Sequence, residues 1–134
     1  MMKQILLFSL ICLGAALRCY NNQKTLHPKL ATASPPLRYC AMRLRGNKTH
    51  QIGLFGFNDR MMGLEEVDAI FEPMSAGPVR IATVGMCVLE EHYDMLLMPK
   101  QSPYYRINCL CKTDGCNKAA NVAAFLEQQK KESR

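Results

Sequence analysis

The sequence predicts a small all-β, disulfide-rich fold: an antiparallel sheet with an enlarged middle hairpin and a short C-terminal helix. Three observations predict it. Three of the seven cysteines fall within residues 109–116. Separate stretches around Cys40, Cys87 and Cys109 alternate apolar and polar residues, the period of a half-buried strand. An apolar N-terminal segment routes the chain to an oxidising compartment, where clustered cysteines become disulfides.

That N-terminal segment has the parts of a signal peptide. Lys3 supplies the positive start, residues 5–13 form an apolar run, and Gly14, Ala15 and Ala16 are small residues at a cleavage site. The alternative is a membrane anchor, but the apolar stretch of residues 5–17 falls well short of the ~20 residues a spanning helix needs. Cleavage after Ala16 removes Cys12. Six cysteines remain (Cys19, Cys40, Cys87, Cys109, Cys111 and Cys116), an even count that permits three bridges and no free thiol. No later apolar run has membrane length, and residues 127–134 are charged, without the tail of a glycolipid anchor. The expectation is an extracellular, secreted protein with no membrane span: signal peptide 1–16, domain 17–117 and amphipathic tail 118–134.

Within the domain, Cys40, Met42 and Leu44 fall on one strand face, with Tyr39, Arg43 and Arg45 on the other. Val79, Ile81, Thr83 and Cys87 share a second face, and Tyr105, Ile107 and Cys109 a third. Each strand delivers a cysteine inward, so the core and the knot lie at one end. Such a core is thin, and each bridge, at ~2–4 kcal/mol, matters to stability.

Residues 46–78 form an excursion placed at the tip of the middle hairpin, and loops that long are functional or disordered. This one is apolar. Leu64, Val67, Ile70 and Phe71 fit one face of a helix that Asn58 or Asp59 caps and that stops before Pro73. Two arrangements remain open. In one, helix and strand fold back over the sheet and enlarge the core. In the other, Phe55, Phe57, Met61 and Met62, with the basic strand residues Arg43 and Arg45, form a surface for a protein partner.

Charge is segregated along the chain. Residues 18–60 carry eight basic and one acidic side chain, residues 61–95 one and seven, and residues 96–134 seven and three. Either a basic side and an acidic patch steer a partner, or the limbs of the hairpin neutralise one another across strands. Asn47-Lys48-Thr49 is a glycosylation sequon in an exposed loop. Residues 24–37, with three prolines, read as an irregular loop. In the tail, Ala119, Val122, Ala123 and Leu126 fit a short amphipathic helix that docks loosely or frays.

Leu17-Arg18-Cys19-Tyr20, the Gly85-Met86-Cys87 step and the closing Cys111-x4-Cys116-Asn117 resemble the three-finger superfamily over about residues 17–117. That superfamily includes lymphocyte-antigen and urokinase-receptor domains, snake toxins and nematode extracellular modules. The resemblance implies a three-finger-like sheet and the bridges Cys19–Cys40, Cys87–Cys109 and Cys111–Cys116. There are departures. Asn22 stands where the superfamily usually has a second cysteine, Leu110 separates cysteines that are usually adjacent, and Cys87 corresponds to either of two family cysteines. The role implied is a binding module that modulates a receptor, channel or matrix protein.

Catalysis needs a nucleophile with a base, paired carboxylates or a metal cluster. The best candidate is His92-Tyr93-Asp94, without the Gly-rich calcium loop of a secreted phospholipase. A zinc site at Cys109, Cys111 and Cys116 is set against secretion. The reading is therefore a secreted monomer, not an enzyme. It has no cofactor, metal or nucleic-acid partner, and binds an extracellular protein. The alternatives are a small phospholipase- or ribonuclease-like enzyme and a basic membrane-active protein.

Overall fold

The computed structural model describes residues 16–45, 52–61, 63–92 and 104–132. Residues 1–15 of the segment read as a signal peptide, the sequon at Asn47, Met62, Tyr93 and Asp94 lie outside them, as do the side chains of Arg45 and His92. The chain is built mostly of antiparallel strands. β1 (Cys19–Asn21) pairs with β2 (Lys29–Ala31) in a small ribbon. β3 (Tyr39–Arg45), β4 (Ile52–Phe57), β7 (Gly85–His92) and β8 (Tyr104–Cys111) form one sheet in the order β4-β3-β8-β7. Helix α1 (Leu64–Phe71) and the hairpin β5 (Met74–Ala76) and β6 (Val79–Ile81) connect β4 to β7, and α2 (Val122–Glu132) closes the chain.

Alternation sorts the sheet's side chains onto two faces, each with its own core. On one face Cys40 lies opposite Cys111 and Met42 opposite Cys109, while Cys109 also lies opposite Cys87. These residues pack with Cys19, Cys116 and Phe125 into a buried cluster. The other face gathers Tyr39, Ala41, Phe55 and Leu110 around Phe71 of α1. The bridges are Cys19–Cys40, Cys87–Cys109 and Cys111–Cys116. Three disulfides suit an oxidising environment. No described helix is long and apolar enough to cross a membrane.

The register corrects the placement of the excursion. Residues 52–57 are a strand that runs back along β3 until Phe57 lies opposite Tyr39, at the knot end. Gly85, where β7 begins, lies opposite Cys111 at that same end. Residues 58–84 therefore leave and return at the base of the sheet, not at its tip. Val79 and Ile81 are likewise not continuous with β7. They belong to the separate hairpin, where they are 56% and 48% exposed.

Side-chain hydrogen bonds lock the base. Asn117 is fully buried: its Oδ1 accepts from the Tyr20 N–H at 2.9 Å, and its Nδ2 donates to the carbonyls of Tyr20 and Ala41, both at 2.9 Å. Asn22 ties β1 to β4, donating to the Ile52 carbonyl at 2.7 Å and accepting from the Leu54 N–H at 2.8 Å. Gly115 turns with φ +65° against the Tyr20 ring, a conformation that a side chain would strain.

Beside that turn, Asp114 accepts from the backbone N–H of Arg18 at 2.9 Å and from its guanidinium at 3.1 Å. Those bonds, the backbone one foremost, hold its carboxyl below the usual value of 3.8. A depressed carboxylate stabilises the fold above the unfolded-state value, and that contribution is lost as pH falls through the folded-state value. Asp114→Asn is expected to melt below the native protein at pH 7, with the gap closing as pH drops below about 4. A melting-temperature series from pH 7 to 2 checks this. A gap that stays constant would refute it.

Candidate binding cleft

Helix α1 is laid on the second sheet face because its apolar side chains recur at helical spacing. Leu64 and Val67 pack on the cluster and Phe71 is 3% exposed, its ring 4.8 Å from that of Tyr39. Neither Asn58 nor Asp59 caps the helix. The N-cap is Gly63 at φ 83°, and Asn58 instead makes the preceding turn, accepting from the Arg60 N–H at 3.1 Å. Glu65 and Glu66 then occupy the first turn, where carboxylates suit the positive end of the helix dipole. The stop ahead of Pro73 is as the sequence predicts.

A polar chain clamps the helix from one side. The Tyr39 hydroxyl donates to Asp68 at 2.6 Å, Asp68 lies 3.0 Å from the Arg38 guanidinium, and Arg38 reaches Asp59 at 3.3 Å. Burial, with the Asp68 hydrogen bond second, pushes the Tyr39 phenol up to about 12. This hydroxyl is a neutral structural donor at any physiological pH.

The helix does not cover the whole face. Beyond the row of Phe55, Ala41, Leu110 and Met86 comes the row of Arg43, Asn108 and Val88. At that step a cleft of about 310 Å³ opens between α1 and the sheet. Its apolar walls include Phe55, Phe57, Val67 and Leu110, and its polar lining is Arg43, Asn108, Glu66 and Glu90. The Arg43 guanidinium sits 4.8 Å above the Phe55 ring, and its Nε donates to Asn108 Oδ1 at 2.8 Å.

The cleft thus brings together three residues singled out from the sequence, Arg43, Phe55 and Phe57. Of the two arrangements left open, Phe55 adopts the inward one at 4% exposure, and Phe57 and Met61 are partly buried against the same layer. Arg45 lies opposite Arg106 at the far end of β3. Sequence reasoning missed Asn108 and Met86, because an asparagine on an alternating strand looks like an ordinary surface residue. It also missed the character of the β5–β6 arm. There Met74 lies opposite Ile81, and Met74, Val79 and Ile81 are about half or more exposed. Among the described residues, no group of three or more His, Cys, Asp or Glu side chains is placed to hold a metal ion.

Fold and cleft together define a small antiparallel β protein, stapled by three disulfides and carrying a helix on one sheet face. The chain belongs to a family of unknown function, DUF5354, whose model matches residues 13–130. No curated protein and no solved structure gives a significant match.

Proposed function

We propose that this chain is a secreted, three-finger-like module that binds an extracellular protein and so modulates a receptor, channel or matrix protein. Support for the three-finger reading comes from the ribbons β1–β2, β3–β4 and β7–β8, which leave a base held by Cys19–Cys40, Cys111–Cys116 and Asn117. Where the superfamily usually has a second cysteine, the Asn22 amide ties β1 to β4 in its place. Support for secretion comes from the apolar N-terminal segment and from three disulfides.

The observation that carries the binding role is the β5–β6 arm. Its Met74 is 62% exposed and its Val79 56%, a concentration of apolar surface that marks an interaction site. The arm begins and ends on the same side as the disulfide base, so its contacts change without disturbing either core. Proximity labelling around the tagged protein in its native tissue tests this against Met74→Ser/Ile81→Ser. The variant is expected to lose a defined set of labelled extracellular neighbours, with its melting temperature within a few degrees of native. An unchanged set of neighbours would refute the arm as the binding surface.

A further inference from the structure

The two edges of the four-stranded sheet are finished differently. At one edge β1 closes β4: the Asn22 N–H donates to the Leu54 carbonyl at 3.2 Å, and the Asn22 amide bonds the Leu54 N–H and the Ile52 carbonyl. At the other edge lies β7, whose outer side pairs with no strand among the described residues. Edge strands are ordinarily guarded by being short, by a proline or lysine, or by a bulge. β7 is 8 residues long and has neither proline nor lysine. Its register on β8 runs without a bulge, from Gly85 opposite Cys111 to His92 opposite Tyr104.

The Cys87–Cys109 pair shows which backbone groups of β7 point outward. The two residues lie directly opposite each other with Cα atoms 4.0 Å apart. So close a spacing belongs to the narrow, non-hydrogen-bonded pair of an antiparallel ladder, whose members turn their N–H and C=O away from one another. Alternation extends the pattern. Met86, Val88 and Glu90 bond to β8, while Cys87, Leu89 and Glu91 present their N–H and C=O to the open side. Among the described residues those outward backbone groups meet no partner. Leu89 stands in the middle of them with its side chain 65% exposed.

We propose that β7 pairs with β7 of a second copy of this chain, antiparallel about a two-fold axis at Leu89, so that two four-stranded sheets become one. An edge of alternating donors and acceptors is complementary to itself under a two-fold rotation, and such an isologous contact closes at two copies. Centred on Leu89, the register sets the exposed leucine against its equal. Val88 then faces Glu90 of the second copy and Cys87 faces Glu91, so no carboxylate lies opposite another. An axis at Glu90 would oppose two carboxylates directly, and one at Val88 would set Leu89 against Cys87, whose side chain is committed to Cys109. Within each copy Glu90 lies opposite Arg106 and Glu91 accepts from the Tyr105 hydroxyl at 3.0 Å, which offsets the acidic charge gathered at the axis. The dimer takes the place of the monomer expected from the sequence. It uses residues 87–91, beyond the point where the β5–β6 arm joins β7, so either assignment survives the failure of the other.

Sedimentation equilibrium of the intact, oxidised protein from micromolar to millimolar concentration, with amide hydrogen exchange at both ends of that range, tests the proposal. A monomer–dimer equilibrium is expected. The Cys87, Leu89 and Glu91 amides should gain protection as the dimer forms, whereas those of Val88 and Glu90, bonded within the β7–β8 ladder, should be protected throughout. Leu89→Pro removes an outward donor without touching that ladder and is expected to abolish the dimer. Leu89→Lys keeps the backbone donor, places like charges at the axis and is expected to weaken the dimer at least tenfold. It serves as the second variant if Leu89→Pro fails to fold. A protein that stays monomeric, a dimer unaffected by Leu89→Lys, or protection of the Leu89 and Glu91 amides that does not vary with concentration would each overturn the assignment.

Discussion

Replacing Asn117 by alanine is expected to destabilise the protein by about 3–5 kcal/mol, a large share of the total stability of a small domain. The residue is wholly enclosed, and its amide spans two strands that are far apart in sequence. Its Oδ1 accepts from the Tyr20 N–H on β1, and its Nδ2 donates to the Ala41 carbonyl on β3. Alanine removes both sides of that clamp and leaves the part-buried Tyr20 N–H without its acceptor, and an unmet donor costs about 1–3 kcal/mol where it is buried. Loss of the Nδ2 bonds adds to this.

Asn117→Asp separates the hydrogen-bond account from simple packing. Aspartate has the same shape and could still accept from Tyr20, but a carboxylate offers no donors to the Tyr20 and Ala41 carbonyls and carries charge into a buried site. It is expected to be at least as destabilising as alanine at neutral pH. Urea denaturation of the disulfide-intact proteins measures both. An alanine variant within about 1 kcal/mol of native would show that the disulfides alone hold the base.

The sheet was legible where residues alternate. Cys40 and Met42 face one core while Tyr39 and Ala41 face the other, because a strand's period of two leaves no choice once one face is buried. Helix α1 was legible from Leu64, Val67 and Phe71 and from the stop at Pro73. Strand β4 was not. Ile52-Gly-Leu-Phe-Gly-Phe57 does not alternate, because both of its faces are covered and its glycines answer to close contacts. A Cβ on Gly56 would lie 2.5 Å from the Leu37 side chain. The cleft was half legible. Arg43, Phe55 and Phe57 stand out by type, whereas Asn108 acquires meaning only when β8 is set between β3 and β7. The disulfide pairs followed the family resemblance, which spacing alone could not supply.

Phe125→Ala is expected to cost about 3–5 kcal/mol, in contrast to a tail that frays. The reading of Ala119, Val122, Ala123 and Leu126 as the apolar face is corrected by the structure. Ala119 and Val122 do pack against the core, but Ala123 is exposed and Leu126 is 45% exposed, and Phe125 and Gln129 are the buried side chains of the helix. Phe125 is fully enclosed among the cysteines of the knot. Gln129 escaped notice because it is polar, yet it is 3% exposed and donates to the Cys116 carbonyl at 3.3 Å. Gly85 makes room for it, since a Cβ there would lie 2.6 Å from Gln129 Cγ. Asn121 starts the helix, its Oδ1 accepting from the Ala124 N–H at 2.8 Å, and Thr113 holds the far end by donating to Glu132 at 2.6 Å. With the ring gone, the helix loses its largest buried side chain and keeps only Gln129 and the partly buried Val122 against the core. Hydrogen exchange should therefore show α2 losing protection before the sheet does. Phe125→Leu, which refills most of the volume, is expected to recover at least half the loss. A denaturation midpoint unchanged by Phe125→Ala would mean that α2 contributes nothing to the core it caps.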